Sequence, residues 1–217
     1  MTASGGSAGP GRDCPLCPRL AAFRAEQRKA NPDWFNAPVP SFGDRAARLL
    51  IVGLAPGLKG ANRTGRPFTG DFAGVLLYAT LKKFGFARGE YGERADDGLS
   101  LIDCRITNAV RCVPPQNKPE PTEIKACGGF LASEISSMPK LMAILALGQI
   151  AHNAALAALR QRRSSFPFRH GAVHAPAAAP LLADSYHCSR YNTNTGTLTA
   201  AMFENVFAEL KKRLALP

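Results

Sequence analysis

Leu49-Leu50-Ile51-Val52-Gly53-Leu54-Ala55-Pro56-Gly57, followed at once by LKGANRTGRPFTGD from Leu58 to Asp71, is the stretch whose reading decides the fold. A short apolar run stops at a glycine and opens into a loop dense in Gly, Asn, Arg and Thr, with one Phe and a closing acid. The run from Arg48 to Val52 is continuously apolar after its first residue, not alternating, which is the pattern of a parallel strand buried on both faces. Ligands of open α/β sheets sit beyond the carboxyl ends of such strands, so this loop is the first place to seek chemistry.

Working outward, Arg19 to Ala30 has helix formers with Leu20 and Phe23 on one face, and Asn31 to Phe42, with three prolines and the single Trp, is an irregular crossing. Phe72 to Phe84 reads as a helix with Val75, Leu76, Tyr78, Ala79 and Leu81 apolar, and Gly85 to Gly98 as polar and turn-rich. Leu101 to Val110 predicts a second strand that delivers Asn108 to its carboxyl end. Arg111 to Pro121 holds four prolines and is irregular, and Thr122, a plausible N-cap, opens a helix to Met138. Leu141 to Leu147 is a third strand, ending at Gly148. It is followed by an Ala-rich helix from Gln149 to Arg162 and a basic aromatic loop from Ser164 to His174. Pro180 to Tyr186 is a fourth strand ending at His187, and Leu198 to Leu214 closes the chain as a helix with Leu198, Met202, Val206 and Leu210 on one stripe. Right-handed crossovers turn this alternation into an α/β fold in three layers, with a central four-stranded parallel sheet covered by helices on both faces. No dinucleotide or phosphate-binding glycine motif opens any of these helices.

The 217 residues suit one domain, read as 13–217 after a disordered tail at 1–12, and 46% hydrophobic content fits a globular core. Lys and Arg outnumber Asp and Glu by 27 to 16, a net charge of +11 that favours a polyanionic partner, although a genome rich in Arg and Ala codons gives the same excess. No apolar run reaches the roughly 18 residues of a membrane span. The tail has no apolar segment of an export signal, so a cytoplasmic, monomeric protein is expected.

Six cysteines in a chain of this length without an export signal point to metal more than to disulfides. Cys14 and Cys17 form a two-residue-spaced pair at an expected helix start, where the dipole favours thiolates. Cys112 and Cys127 are separated by fourteen residues. Zinc sites usually pair two short knuckles and iron–sulfur clusters gather thiolates from looser spacing, so spacing favours a cluster over zinc. Cys104 lies in an apolar segment and reads as a small buried hydrophobe.

Four strand ends then bring Gly53 to Asp71, Asn108, Gly148 and His187 to one rim. Taken singly, Asp71 can simply cap the next helix, Asn108 close a turn, His187 sit satisfied in the structure and Phe68 fill the core. Together an acid, an amide, an imidazole and an aromatic ring make a pocket suited to a nucleobase. A ring stacks the base, an amide matches a pyrimidine edge, an imidazole stabilises charge on a departing base, and a carboxylate orients water. Basic side chains hold the phosphates.

At this point the residues resemble the uracil-DNA glycosylase superfamily, most closely its family 5. GLAPGLKGANRTGRPFTGD at Gly53 to Asp71, TNAVRCVPP at Thr107 to Pro115 and YHCSRYNTNTGTLTAAM at Tyr186 to Met202 are similar to its three motifs. The likeness covers the chain from about Cys14 to the last helix. It implies a [4Fe–4S] cluster with a structural role on Cys14, Cys17, Cys112 and Cys127. It also implies hydrolytic removal of uracil and other deaminated bases, such as hypoxanthine and xanthine, from duplex DNA, with single-stranded DNA left open as a substrate. By the same likeness Asp71 and His187 are catalytic, and Gly53, Ala55, Phe68 and Asn108 hold the base. Lys59, Arg63, Arg66, Arg190, Tyr191 and Asn192 face DNA, with Tyr191 as the wedge. Apolar Leu54 and Ala55, where other branches place Glu or another polar residue, match family 5 and move the water-orienting role to Asp71. One departure is Cys188, which stands where the third motif usually has proline. It either loosens the loop around His187 or is a thiol of no consequence. A non-catalytic iron–sulfur protein that binds DNA is the alternative reading, and the change at Cys188 is its main support.

Overall fold

The structure, a computed structural model, describes residues 9–214. In chain order its elements are α1 (Pro18–Ala30), β1 (Phe42–Gly43), β2 (Leu49–Gly53), α2 (Ala61–Thr64), α3 (Phe72–Lys83), β3 (Ala87–Arg88), β4 (Ser100–Leu101) and β5 (Cys104–Asn108). After a short 3-10 turn at Pro115–Asn117 come α4 (Pro121–Ser136), β6 (Ala143–Leu147), α5 (Gln149–Ala158), a second such turn at Arg163–Ser165, β7 (Val173–His174), β8 (Leu181–Ser185), α6 (Arg190–Asn194) and α7 (Ala200–Arg213).

The sheet order is β1-β5-β2-β6-β8-β7. The inner strands β5, β2, β6 and β8 are all parallel, with Ile51 opposite both Ile106 and Leu145, and Leu145 opposite Ala183. These are the four strands the apolar runs predict. The expected four-stranded sheet is nevertheless too small, because β1 and β7 add antiparallel edges to β5 and β8. At two residues each they carry no readable periodicity. The turn-rich segment likewise contributes β3, which pairs with β4 from the start of the expected second strand.

Alternate strand residues enter opposite cores, as a pleated strand requires. Leu49, Ile51, Ile106 and Leu145 pack with Leu77, Leu81, Phe203 and Phe207 of α3 and α7. Leu50, Val52, Ile144 and Ala146 pack with Leu131, Ala151 and Ala155 of α4 and α5. The result is the three-layer α/β/α sandwich. A smaller cluster joins Leu20 of α1 to Val110, Cys112 and Cys127.

Several local expectations are corrected. In α3 the buried face is Ala73, Leu77, Tyr78 and Leu81, whereas Val75 and Ala79 point to solvent. Helix α4 begins one residue before Thr122, with a reciprocal capping box between Glu120 and Glu123 in place of a Thr122 cap. Residues 1–8 of the expected tail lie outside the described residues. Gly11 and Arg12, however, are engaged: Cys14 N–H donates to Gly11 O at 3.1 Å and Arg28 Nη2 to Arg12 O at 3.0 Å. Among the described residues no helix is long and apolar enough to cross a membrane.

One buried charge network fixes the segment that follows β5. Glu134 of α4 accepts from Arg105 Nε at 2.6 Å, Arg111 Nη2 at 2.8 Å and Ser41 Oγ at 2.6 Å. Removing one partner from such a buried set leaves an uncompensated charge. The network therefore pins the backbone that runs from Asn108 to Cys112.

Candidate active site

Beyond the carboxyl ends of the parallel strands lies a cleft of about 720 Å³. Its lining includes Phe68, Asp71, Asn108 and His187, the four groups expected at that rim, together with Ala55 and Lys59.

Gly53 and Asn108 are the last paired residues of β2 and β5, directly opposite one another. A Cβ on Gly53 would stand 2.4 Å from Asn108 Oδ1 and 2.5 Å from Phe68 Cζ, so only glycine lets the amide and the ring close over the strand end. Asn108 is 3% exposed and its Oδ1 has no hydrogen-bond partner among the described residues. Buried acceptors are almost always satisfied, so an orphan on a cleft wall marks a place where a ligand donor belongs.

Phe68 adopts a left-handed backbone (φ 53°), an uncommon state for a bulky residue. The loop holds it there: Tyr91 Oη donates to Phe68 O at 3.1 Å, Tyr78 Oη donates to Pro67 O at 2.6 Å, and Gly74 has no side chain where a Cβ would fall 1.8 Å from Phe68 O. Its ring lies 5.9 Å from that of His187, 29° from parallel.

Asp71 has both the roles that its sequence position allows. It caps α3, accepting from Gly74 N–H at 3.2 Å, and it lines the cleft. Its Oδ2 fills the space left by two glycines, for a Cβ would come within 2.9 Å at Gly57 and 2.4 Å at Gly60. Burial raises its carboxyl above the ordinary value of 3.8, against the backbone bonds from Gly74 and Ala73 that lower it. Burial also lowers the His187 imidazole to about 4, so it is neutral at physiological pH. Cys188 is fully buried, its thiol 3.5 Å from Ala73 O, and Asn192 Nδ2 donates to His187 O at 2.8 Å. The loop around His187 is thus tied down without a proline.

Two of the residues assigned to DNA are placed otherwise. Arg66 is 5% exposed, ion-paired to Asp97 at 2.6 Å and stacked over Phe42 and Tyr78, so its charge is spent inside the protein. Asn192 uses its amide to position His187. Lys59, Arg63 and Arg190 are exposed, and Tyr191 is 75% exposed at the cleft margin. Arg190 lies over the Phe72 ring at 5.2 Å. The lining also contains Leu58, Phe72, Asn117 and Ser189, none of which the sequence reading singled out. For Asn117 a signal existed: Asn after Pro-Pro-Gln is turn chemistry, and its φ is 57°.

Away from the cleft, Cys14, Cys17, Cys112 and Cys127 line one small hollow with Leu20, Arg24 and Phe130. None is in a disulfide. Arg24, 4% exposed, donates to Cys112 Sγ at 3.3 Å, and Arg111 N–H donates to Cys127 Sγ at 3.4 Å. Burial raises the thiols of Cys17 and Cys112, and that of Cys127 to about 11, so a positive centre must replace their protons if they are to act as thiolates. Four thiolates around one zinc ion would stand about 3.8 Å apart. Among the described residues no three of these sulfurs lie within 4.8 Å of one another. The donor set therefore fits a group of several metal atoms better than a single ion.

The family model for the uracil DNA glycosylase superfamily matches residues 40–211, the span that carries all three wall segments of the cleft. The chain belongs to this superfamily. It is 47% identical over 210 residues to the type-5 uracil-DNA glycosylase of Thermus thermophilus, covering 94% of each chain. It is 42% identical over 207 residues to that of Mycobacterium tuberculosis, covering 92% of this chain and 77% of the relative. A type-4 uracil-DNA glycosylase of Pyrobaculum aerophilum is 36% identical over only 125 residues, 57% of this chain and 56% of its own. Likeness over the whole chain places the protein in the type-5 branch of the superfamily.

The close approach at Gly53 is directly testable. Gly53→Ala is expected to lower stability by about 1–3 kcal/mol in denaturant titration, because two buried side chains must retreat from one methyl group. Unchanged stability would show that Phe68 and Asn108 have room to move.

Proposed function

We propose that the cleft receives one nucleotide extruded from DNA and that the chain hydrolyses its N-glycosidic bond, releasing uracil and leaving an abasic site with the strand intact. The observation that carries this reading is the partnerless Asn108 Oδ1 beside the Phe68 ring. An amide carries an acceptor beside a donor, which matches the imide edge of uracil with its donor next to an acceptor. Stacking on Phe68 adds about 1–3 kcal/mol per base.

Bond cleavage leaves electrons on the base and positive charge on the sugar. Neutral His187 donates an N–H to the base oxygen on which negative charge develops. Asp71, ionised, faces the sugar, stabilises its positive charge and orients the water that attacks it. Tyr191, the most exposed large residue of the third segment, fills the gap in the duplex, while Lys59, Arg63 and Arg190 contact phosphates. Walls made by Leu54, Ala55 and Pro56 place no charged group against the base edge, which supports acceptance of hypoxanthine and xanthine as well. The partner is duplex DNA carrying deaminated bases, and the protein acts as a monomer in the cytoplasm, where bacterial DNA lies.

The cysteine hollow holds a [4Fe–4S] cluster that cross-links α1 to α4 and to the segment after β5. Bound there it supplies structure, and no step of the hydrolysis passes through it. The non-catalytic alternative drew its support from Cys188. With that thiol packed against Ala73 and the His187 carbonyl tied to Asn192, this support falls away.

A duplex with one deoxyuridine should yield an alkali-labile abasic site, and Asp71→Asn should slow release by about 10²–10⁴-fold while leaving DNA affinity nearly unchanged. The rate should rise with pH as Asp71 ionises, at a midpoint above 3.8, and be flat at neutrality; His187 loses its proton at about 4 in the same window, so Asp71→Asn should remove only the Asp71 part of that limb. Intact uracil in duplex and single strand alike would reject the proposal. Separately, protein purified anaerobically should contain about four iron and four sulfide per chain, and one zinc in their place would reject the cluster.

A further inference from the structure

At the β8–β7 edge of the sheet, His152 of α5, His174 of β7 and Asp184 of β8 bring their ligating atoms within 4.8 Å of one another. The side chains of His152 and Asp184 are 1% and 0% exposed, and that of His174 is 14% exposed. None of the three lines the cleft.

The hydrogen bonds around His152 close only with one positive charge beyond the neutral ring. Its Nε2 lies 2.9 Å from Phe166 O, and a carbonyl oxygen only accepts, so Nε2 carries the ring hydrogen. A neutral ring then presents a bare lone pair at Nδ1 to Asp184 Oδ1, 2.7 Å away. Two acceptors at that separation repel unless a cation lies between them. The other carboxylate oxygen is 3.1 Å from His174 Nε2 and accepts from Arg169 N–H at 3.3 Å.

The structure assigns this cation as a divalent metal ion of the zinc class, held by His152 Nδ1, His174 Nε2 and Asp184. Two imidazoles and a carboxylate are a donor set for such ions, and three protein ligands leave a fourth position open. The outer shell is already built, with the second nitrogen of His152 on a backbone carbonyl and the Asp184 carboxylate on a backbone N–H, as metal-bound groups require. His174 borders a hollow of about 550 Å³ lined by Pro167 to Arg169 and Gly171 to His174, which provides a way in and room for a water as fourth ligand. A proton on Nδ1 is the competing occupant; with it His174 Nε2 carries a hydrogen and donates to Oδ2, whereas a metal ion takes the lone pair of that nitrogen. The ion pins α5, β7 and β8 together three residues before His187, a structural role independent of the chemistry in the cleft.

The test uses the protein with its cysteine-bound group in place, stripped of loose ions by EDTA and titrated calorimetrically with Zn²⁺. Wild type should take up one equivalent, and His174→Ala should bind it at least about 10-fold more weakly. Because loss of His174 also disturbs packing, His174→Cys is the second variant. Loaded with Co²⁺ it should gain a thiolate-to-metal absorption band that wild type loaded with Co²⁺ lacks. No Zn²⁺ uptake by wild type would identify the cation as a proton and overturn the assignment. Undiminished uptake by His174→Ala, or no new band in His174→Cys, would overturn it equally.

Discussion

A missing methyl group at Gly53 is the constraint on which the cleft depends. Strand β2 ends where its neighbour β5 ends, and the residue opposite Gly53 is Asn108. With any side chain at Gly53 the Asn108 amide and the Phe68 ring cannot both occupy the strand end, because a Cβ would meet each at 2.4–2.5 Å. The same device recurs around the rim. Gly57 and Gly60 leave space for the Asp71 carboxylate, and Gly74 for the Phe68 carbonyl. Glycine here serves close approach more than backbone freedom, and the left-handed strain is carried by Phe68 itself.

Burial then sets the chemistry. The same desolvation that raises Asp71 lowers His187, leaving a carboxyl that ionises late and an imidazole that stays neutral. Pushing an acid and a base in opposite directions is how one site keeps two groups in different roles at a single pH. Among the described residues neither group is held by a salt bridge. Asp71 is fixed by its helix cap and His187 by the Asn192 amide on its carbonyl, so their protonation depends on the cavity and what fills it.

The layered fold was legible because its four inner strands are continuous apolar runs, and the helices between them are long enough to show a face. What escaped was short or was fixed by distant partners. Two-residue edges such as Phe42–Gly43 have no period to read. Arg66 looks like a phosphate contact in a loop of Arg and Lys until Asp97, 31 residues on, is found against it. Asn192 reads as a DNA contact until its amide is seen on His187. Arg24 sits on a helix face otherwise read by Leu20 and Phe23, and the Cys112 sulfur and the Cys14 carbonyl together explain why a guanidinium is buried there. His152, His174 and Asp184 are separated by more than twenty residues of loop and helix from end to end, and only the sheet edge at β7 brings them together. The convergence was readable for Asn108 and His187 because they lie at or just past the carboxyl ends of β5 and β8, and for Phe68 and Asp71 because the loop that carries them leaves the carboxyl end of β2 and runs to the start of α3.

The central claim is that a uracil ring lies on Phe68 with its edge against Asn108. A crystal structure of the protein with free uracil and a duplex containing an abasic site tests it most directly. The account predicts the ring stacked on Phe68, with its N3–H donated to Asn108 Oδ1 and a base oxygen within hydrogen-bond reach of His187. Uracil bound elsewhere, or in the cleft with Asn108 Oδ1 still without a partner, would contradict it.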